Sequence, residues 1–368
     1  MKKKILIPIA TALALVIISF PIYQIFYDGA FVGKTHNDIE ISNEVVLTNK
    51  SYGELAKVGD KLYYNYEPQS NVFDLLNYGL YEISSNGTKR VYWGGIKITD
   101  GSNLFKVDSA GENLIKSYSD LLYEDISYGE IYSYNPSSKN FEIINKLSKS
   151  TPAQIKACKY VNGRYFYYLQ NSLYVQNGDT LEKIVDLQPT LYGDESPLYR
   201  FFINSNCEVY YIKPDGNTCV LCRYDLSEKK ESKLTSVDLP YKEVTELYID
   251  GGKAVIGLTS DENDISQRDS MYVAEIADDS NLQQLLSKTT DYGRTLIYNG
   301  KLYFLKHKSD TDAICSIELS FPQKESIIYE GDIANIHIID GQGVYFTDSS
   351  KALYRVSLNG EKLETVFG

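Results

Sequence analysis

Apolar positions in this chain fall in short runs separated by Gly, Asn, Asp and Ser, a pattern that predicts strands and turns. One kind of run recurs along the chain. It reads Leu62-Tyr63-Tyr64, Leu122-Tyr123-Glu124, Tyr165-Phe166-Tyr167, Val209-Tyr210-Tyr211, Ala254-Val255-Ile256, Leu302-Tyr303-Phe304 and Val344-Tyr345-Phe346. A second run follows each anchor: Leu80-Tyr81-Glu82-Ile83, Ile131-Tyr132, Leu173-Tyr174, Leu221-Cys222, Met271-Tyr272, Ile314-Cys315 and Leu353-Tyr354. A turn and a further apolar run come next, as in Asn86-Gly87-Thr88 before Arg90-Val91-Tyr92. Asn-Gly suits a tight hairpin because both residues tolerate positive φ, and Asp215-Gly216 and Asn359-Gly360 repeat that chemistry. Ahead of each anchor lies one more short stretch, for example Asn335-Ile336-His337-Ile338-Ile339.

Each unit therefore predicts four strands, and the units repeat about every 45 residues, the period of a propeller blade. The expected fold is an all-β propeller of four-stranded antiparallel blades. Seven anchors predict seven blades, and six or eight are compatible with the same pattern. The first interval, Leu62 to Leu122, is the longest. Its surplus is assigned to two loops, around Glu67–Asn77 and Gly94–Ile115, neither long enough for four strands of about five residues each.

The N-terminus has a different pattern. Lys2-Lys3-Lys4 precedes an apolar run from Ile5 to Tyr27, broken only by Thr11, Ser19, Gln24, Pro8 and Pro21. As a helix this run is about 34 Å long, enough for a hydrocarbon core of about 30 Å. The lysines place its start in the cytoplasm and the C-terminal mass outside. A cleaved signal peptide is the rival reading, but Ile18-Ser19-Phe20-Pro21 offers no small-x-small cleavage site. The expected organisation is a cytoplasmic tip over 1–4, an uncleaved signal anchor over 5–27, a linker over 28–50 and the propeller over 51–368. The linker offers one rim strand, Ile39–Leu47.

Composition adds partners and exclusions. Tyrosine is the outlier at 33 of 368 residues, and at repeat positions its ring suits packing between blades. With 49 acidic against 37 basic residues the net charge is −12, which disfavours nucleic acid. No cofactor is expected. Asp261-Glu262-Asn263-Asp264 with Asp269, and Ser309-Asp310-Thr311-Asp312, could hold Ca²⁺, though neither has the spacing of a known calcium loop.

Five cysteines are an odd set for a disulfide framework, and Cys219-x-x-Cys222 lacks the second pair that structural zinc needs. Cys222 and Cys315 stand where five other units carry tyrosine, so they read as buried hydrophobes; one disulfide, from Cys207, remains open. Of three histidines, His36 lies in the linker, His307 follows a strand, and His337 alternates with isoleucines on a channel-lining strand. The chain has no Gly-x-Ser-x-Gly elbow, His-Glu-x-x-His motif or phosphate-cradling loop.

Binding residues are expected on loops. In a four-stranded blade, the loop between the second and third strands and the link to the next blade emerge on one face. Candidates on that face are Phe73, Tyr192 with Asp194, Tyr241 with Lys242, and Tyr292 with Arg294. Tyrosine with nearby charge suits a protein partner or a stacked sugar.

The phrases Gly59-Asp60-Lys61-Leu62-Tyr63-Tyr64 and Gly79-Leu80-Tyr81-Glu82-Ile83-Ser84-Ser85-Asn86-Gly87 resemble propeller domains of uncharacterised function in Gram-positive bacteria. Those are similar to the YWTD propellers of low-density-lipoprotein receptors. Asn299-Gly300-Lys301-Leu302-Tyr303-Phe304 and Leu353-Tyr354-Arg355-Val356-Ser357-Leu358-Asn359-Gly360 fit the same phrase, without the Tyr-Trp-Thr-Asp tetrapeptide itself. The resemblance implies a surface-displayed interaction domain and supplies no catalytic residue. The expected function is binding of a protein or cell-envelope glycan. The alternatives are a carboxylate-based hydrolase or lyase acting on an envelope glycan, and a structural spacer.

Overall fold

The computed structural model describes residue 41 and residues 54–58, 60–66, 78–92, 97–98, 104–109, 129–135, 140–146, 155–162, 164–169, 172–177, 180–187, 201–215, 218–237, 243–259, 270–276, 282–287 and 292–368. Their regular structure is all strand, in seven antiparallel sheets of four. Sheet I is β1 (Leu55–Val58), β2 (Lys61–Tyr66), β3 (Gly79–Ser84) and β4 (Gly87–Tyr92). Sheet II is β5 (Lys97–Ile98), β6 (Leu104–Ser109), β7 (Gly129–Asn135) and β8 (Asn140–Lys146). Sheet III is β9 (Ile155–Val161), β10 (Arg164–Leu169), β11 (Ser172–Asn177) and β12 (Thr180–Asp186). Sheet IV is β13 (Phe201–Ile203), β14 (Val209–Asp215), β15 (Thr218–Asp225) and β16 (Lys230–Val237). Sheet V is β17 (Glu243–Asp250), β18 (Lys253–Thr259), β19 (Ser270–Glu275) and β20 (Gln283–Leu286). Sheet VI is β21 (Tyr292–Tyr298), β22 (Lys301–Lys306), β23 (Asp312–Glu318) and β24 (Phe321–Gly331). Sheet VII is β25 (Asn335–Asp340), β26 (Gly343–Thr347), β27 (Leu353–Val356) and β28 (Leu363–Phe367). Each sheet is a meander of consecutive strands.

The anchors lie in second strands and the following runs in third strands, joined by one repeated cross-strand pair. Tyr64 faces Tyr81, Tyr167 faces Tyr174, Tyr211 faces Cys222, Ile256 faces Tyr272, Phe304 faces Cys315 and Phe346 faces Tyr354. Sheet II corrects the sequence reading. Its second strand is Leu104–Ser109, with Lys106 opposite Tyr132, and Leu122-Tyr123-Glu124 lies outside the described residues. The aromatic doublet was a misleading marker because a lysine stands at the ring position in that unit. The second surplus segment is therefore 110–128, between β6 and β7.

The anchor runs of the second strands in sheets I and III to VII are apolar without a break because both faces are covered. Successive side chains on a strand point to opposite faces, so neighbouring anchor residues enter different interfaces. Tyr211 packs with sheet III and Tyr210 with sheet V; Phe304 packs with sheet V and Tyr303 with sheet VII. Interface clusters join III to IV, IV to V, V to VI and VI to VII. A further cluster joins VII back to I, through Leu55, Leu62, Tyr64 and Tyr81 against Ile338, Tyr345, Leu353 and Phe367. First strands adjoin one another in the same cyclic order, β13 to β17 to β21 to β25 to β1, so they lie innermost.

Among the described residues the seam between I and VII contains no shared strand. Phe367 instead enters sheet I, with its ring centroid 5.2 Å from Tyr64, 5.2 Å from Tyr66 and 5.0 Å from Tyr81. Ile41, the one described residue of the expected linker, packs on the same cluster. Among the described residues no helix is long and apolar enough to cross a membrane, and the expected anchor over 5–27 lies outside them.

Hairpin turns between first and second strands are two residues long in sheets I, III, V, VI and VII. Asn299 and Gly300 hold φ of 47° and 72° between β21 and β22, the left-handed pair that such a turn requires. In the turn before β28, Gly360 has φ 77°, and a Cβ there would meet the Ile328 carbonyl oxygen at 2.3 Å.

Candidate functional site

The polar centre of the described structure lies on the inner strands, where sheets VI, VII and I meet. Glu54 immediately precedes β1, Arg294 is near the start of β21, and Lys351 sits in the connection between β26 and β27. Antiparallel order puts all three at the end of the sheets that carries the links between sheets. The Lys351 ammonium is 2.7 Å from Glu54 Oε1, and the Lys351 carbonyl accepts a 2.8 Å hydrogen bond from the Tyr64 hydroxyl. Lys351 thus grips sheet I through main chain and side chain together, while its own φ is 69°.

His337 lies beneath this pair. Its Nε2 is 3.4 Å from Glu54 Oε2 and 3.0 Å from Thr347 Oγ1, and its Nδ1 is buried without a hydrogen-bond partner. Burial pushes the imidazole pKa down to about 3; Glu54 pulls it upward, and Arg294 and Lys351 push it down again. At neutral pH the ring is uncharged. Burial would raise the Glu54 carboxyl, but His337, Lys351 and Arg294 outweigh it and hold the group below the ordinary carboxylate value. With the imidazole neutral, the two cations carry that effect. Next around the axis, Thr295 donates to Glu246 Oε2 at 2.8 Å, linking β21 to β17.

At the other end of the same seam Lys57 meets Asp340 at 2.9 Å, both fully buried. Asp340 also accepts the backbone N–H groups of Gln342 and Gly343 at 2.9 and 3.2 Å, and the Tyr345 hydroxyl at 3.4 Å. Tyr345 in turn accepts from Arg355 at 3.3 Å, and Arg355 donates to Glu364 at 3.0 Å. The seam is therefore apolar in its middle and ionic at both ends.

The architecture has counterparts among solved structures. The propeller domain of the Trilobed protease from Pyrococcus furiosus, described as having an open velcro topology, matches with TM-score 0.52 at 11% identity, over 86% of this chain and 94% of that one. An acylaminoacyl peptidase from Pyrococcus horikoshii matches with TM-score 0.52 at 11% identity, over 88% and 54%. A prolyl endopeptidase matches with TM-score 0.50 at 11% identity, over 82% and 45%. The fold is a β-propeller. The chain spans about half the length of the two peptidases, and at this identity the likeness concerns fold alone. No protein-family model matches the chain, and no curated protein matches it.

The residues expected to form a site fare differently. His337 is on an innermost strand, as the sequence predicts, but its ring is closed off beneath Glu54 and has no exposed surface. Arg294 comes near it, acting on both Glu54 and His337. Tyr292 and Arg294 belong to β21 itself, with a register shift between Tyr292 and Thr295, and do not stand on a loop. The inter-sheet link is shorter than the sequence suggested because pairing with Lys306 draws Tyr292 into the ladder. Phe73, Tyr192, Asp194, Tyr241 and Lys242 lie outside the described residues. So do Asp261-Glu262-Asn263-Asp264 and Asp269, whereas Asp312 is 3.1 Å from His307 Nδ1. Among the described residues no group of three or more His, Cys, Asp or Glu is placed to hold a metal ion, and Cys207, Cys219, Cys222 and Cys315 are free thiols. Sequence reasoning missed Glu54 and Lys351, which belong to no strand and carry no motif.

Proposed function

We infer that the chain is a membrane-anchored, extracytoplasmic, seven-bladed propeller that binds a protein or cell-envelope glycan on the face carrying its long connections. The observation behind this reading is the asymmetry of the connections. At one end of the sheets strands are joined by tight turns such as Ser84 to Gly87, Asp250 to Lys253 and Asp340 to Gly343. At the other end run Tyr66 to Gly79, Ser109 to Gly129, Asp186 to Phe201 and Thr259 to Ser270. Tight joins at Leu169–Ser172 and Asp215–Thr218 interrupt that face in sheets III and IV. Phe73, Tyr192 and Asp194 fall in the long connections, and Tyr241 and Lys242 in the shorter link from Val237 to Glu243 at the same end; variable segments on a rigid scaffold are where recognition usually resides.

The chemistry of the carboxyl groups favours binding over the hydrolase or lyase reading. A glycan-cleaving pair needs one carboxyl with a raised pKa. Among the described residues, Glu54, Glu82, Asp186, Asp225, Glu231 and Glu364 are all shifted downward. Glu82 is typical: burial works against its charge, but Lys89, Tyr63 and Lys61 more than restore it.

The test uses the full-length chain in nanodiscs, titrated with purified cell-wall glycan fragments and, in parallel, with partners trapped by a photo-crosslinker at Tyr241. Replacing Tyr192, Tyr241 and Lys242 together by alanine should weaken binding at least about tenfold without changing the thermal midpoint. Unchanged affinity sinks the assigned face. Recovery of the chain in the soluble fraction, with an N-terminus beyond residue 27, sinks the anchor.

A further inference from the structure

A cavity of about 430 Å³ opens at the tight-turn end of sheets III and IV, away from the seam and from the long connections. Three turns build it: β9 to β10, β13 to β14, and β15 to β16. Each contains a non-glycine residue with positive φ, namely Asn162 at 44°, Cys207 at 62° and Lys229 at 51°. Only five such residues occur in the described structure; Asn162 and Cys207 line the cavity and Lys229 lies in the third of its turns. Backbone held in that region tends to gather where a site must be shaped.

The lining carries two charges with unfilled capacity. Arg164 is exposed at the cavity and, among the described residues, forms no hydrogen bond or ion pair, its charge acting only at a distance on the Cys207 thiol. Asp225 uses Oδ1 to cap the turn, accepting from Ser227 N at 2.8 Å, Ser227 Oγ at 2.6 Å and Glu228 N at 3.1 Å; among the described residues Oδ2 accepts no hydrogen bond, and the Arg223 charge acts on the carboxylate without bonding it. The two side chains line one cavity without pairing with each other. Glu208, the other carboxylate in the lining, is already engaged by Arg223 at 3.1 Å and Asn204 at 2.6 Å. Asn162, Asn206 and Ser227 complete a polar wall, and no aromatic ring lines the cavity.

We propose that this cavity binds a free α-amino acid, its carboxylate on Arg164 and its ammonium on Asp225 Oδ2. A simple anion would face two carboxylates, a simple cation would face the guanidinium, and a sugar would find no ring to stack on. A small zwitterion satisfies both vacant groups at once, and the volume is at the small end of ligand cavities. The side-chain specificity is set by Leu226 and the two asparagines.

The experiment is saturation-transfer NMR on the full-length chain in nanodiscs with the twenty L-amino acids, followed by calorimetry on those that give signal. At least one free amino acid should bind one-to-one. Its N-acetyl and its carboxamide forms should each bind at least about tenfold more weakly, because each blocks one of the two charges. Arg164→Gln and Asp225→Asn should produce losses of the same size; asparagine retains the turn cap. No signal from any of the twenty overturns the proposal, as do blocked forms that bind as well as the free one. The blocked-ligand arm uses the unaltered protein, so it decides the matter even if a variant misfolds.

Discussion

Lys57 and Asp340 are 283 positions apart in the chain, yet their side chains meet at 2.9 Å with 1% and 0% of their surface exposed. Removing one member of such a pair strands the other charge in the interior. Lys57→Met should therefore lower stability by about 3–5 kcal/mol. The double variant Lys57→Met/Asp340→Asn should recover most of that loss, since asparagine still accepts the Gln342 and Gly343 N–H groups and carries no charge. Urea unfolding of the four members of the cycle measures the coupling, and additive losses would deny that the two side chains interact.

Phe367 joins the two sides of the same seam through packing. Phe367→Ala removes a ring 5% exposed that touches Tyr64, Tyr66 and Tyr81, and should cost about 3–5 kcal/mol. Amide exchange should rise in β1 and β28 while the III–IV interface keeps its protection. Uniform loss of protection would show that the seam is not a separate unit.

Acid should weaken the seam in two phases. The folded pKa of His337 is depressed to about 3, well below its ordinary value, so between those values the unfolded chain takes up a proton that the folded one refuses. Stability from this group is present above pH 6.5 and falls by about 1.4 kcal/mol per pH unit on the way down. Glu54 acts lower, its contribution lost as pH falls through its own depressed folded value. His337→Gln should flatten the dependence between about pH 6 and pH 4 and leave the steeper acidic limb in place. An unchanged slope in denaturant midpoints across that range would contradict a buried neutral imidazole.

Thiol labelling reports the interfaces elsewhere in the ring. Cys315 is fully buried opposite Phe304, and burial, with Glu325 beside it, pushes its pKa up to about 12. In single-cysteine variants at pH 8, Cys219 should react before Cys207, Cys222 and Cys315, because it is partly exposed and those three are buried. Cys222 and Cys315 should react only at the rate of unfolding. Rapid labelling of Cys315 under native conditions would mean that sheets V and VI are not packed as described.

The repeat was legible because each unit restates one cross-strand contact, and a pair such as Tyr211 opposite Cys222 leaves its mark in both strands. Where Lys106 takes the ring position, that mark vanished and Leu122-Tyr123 drew the reading to the wrong segment. Cys222 and Cys315 were read correctly as buried because they stand where the other units carry tyrosine. The seam could not be read at all. Glu54 with Lys351, and Tyr81 with Phe367, are contacts between opposite ends of the sequence, and no local periodicity encodes which distant residue a side chain will meet. The amino-acid cavity was hidden for a related reason, since Arg164 and Asp225 come from different sheets and look, one at a time, like ordinary surface charges.

Every described sheet is completed by an unbroken run of chain, and among the described residues sheets I and VII are joined by side-chain packing, ion pairs and the Tyr64 hydroxyl on the Lys351 carbonyl. In kinetic terms this is a string of local hairpins, each of low contact order, followed by one closure across nearly the whole molecule. Hairpin steps of that kind are fast, and the entropy of closing a long loop grows only slowly with its length. The order of assembly follows: interfaces such as III–IV, IV–V, V–VI and VI–VII form between sequence neighbours, and the meeting of Glu54 with Lys351 comes last. A protein arrested just before that step would keep its strands and most of its hydrophobic contacts, and would differ from the native one chiefly in being an open arc.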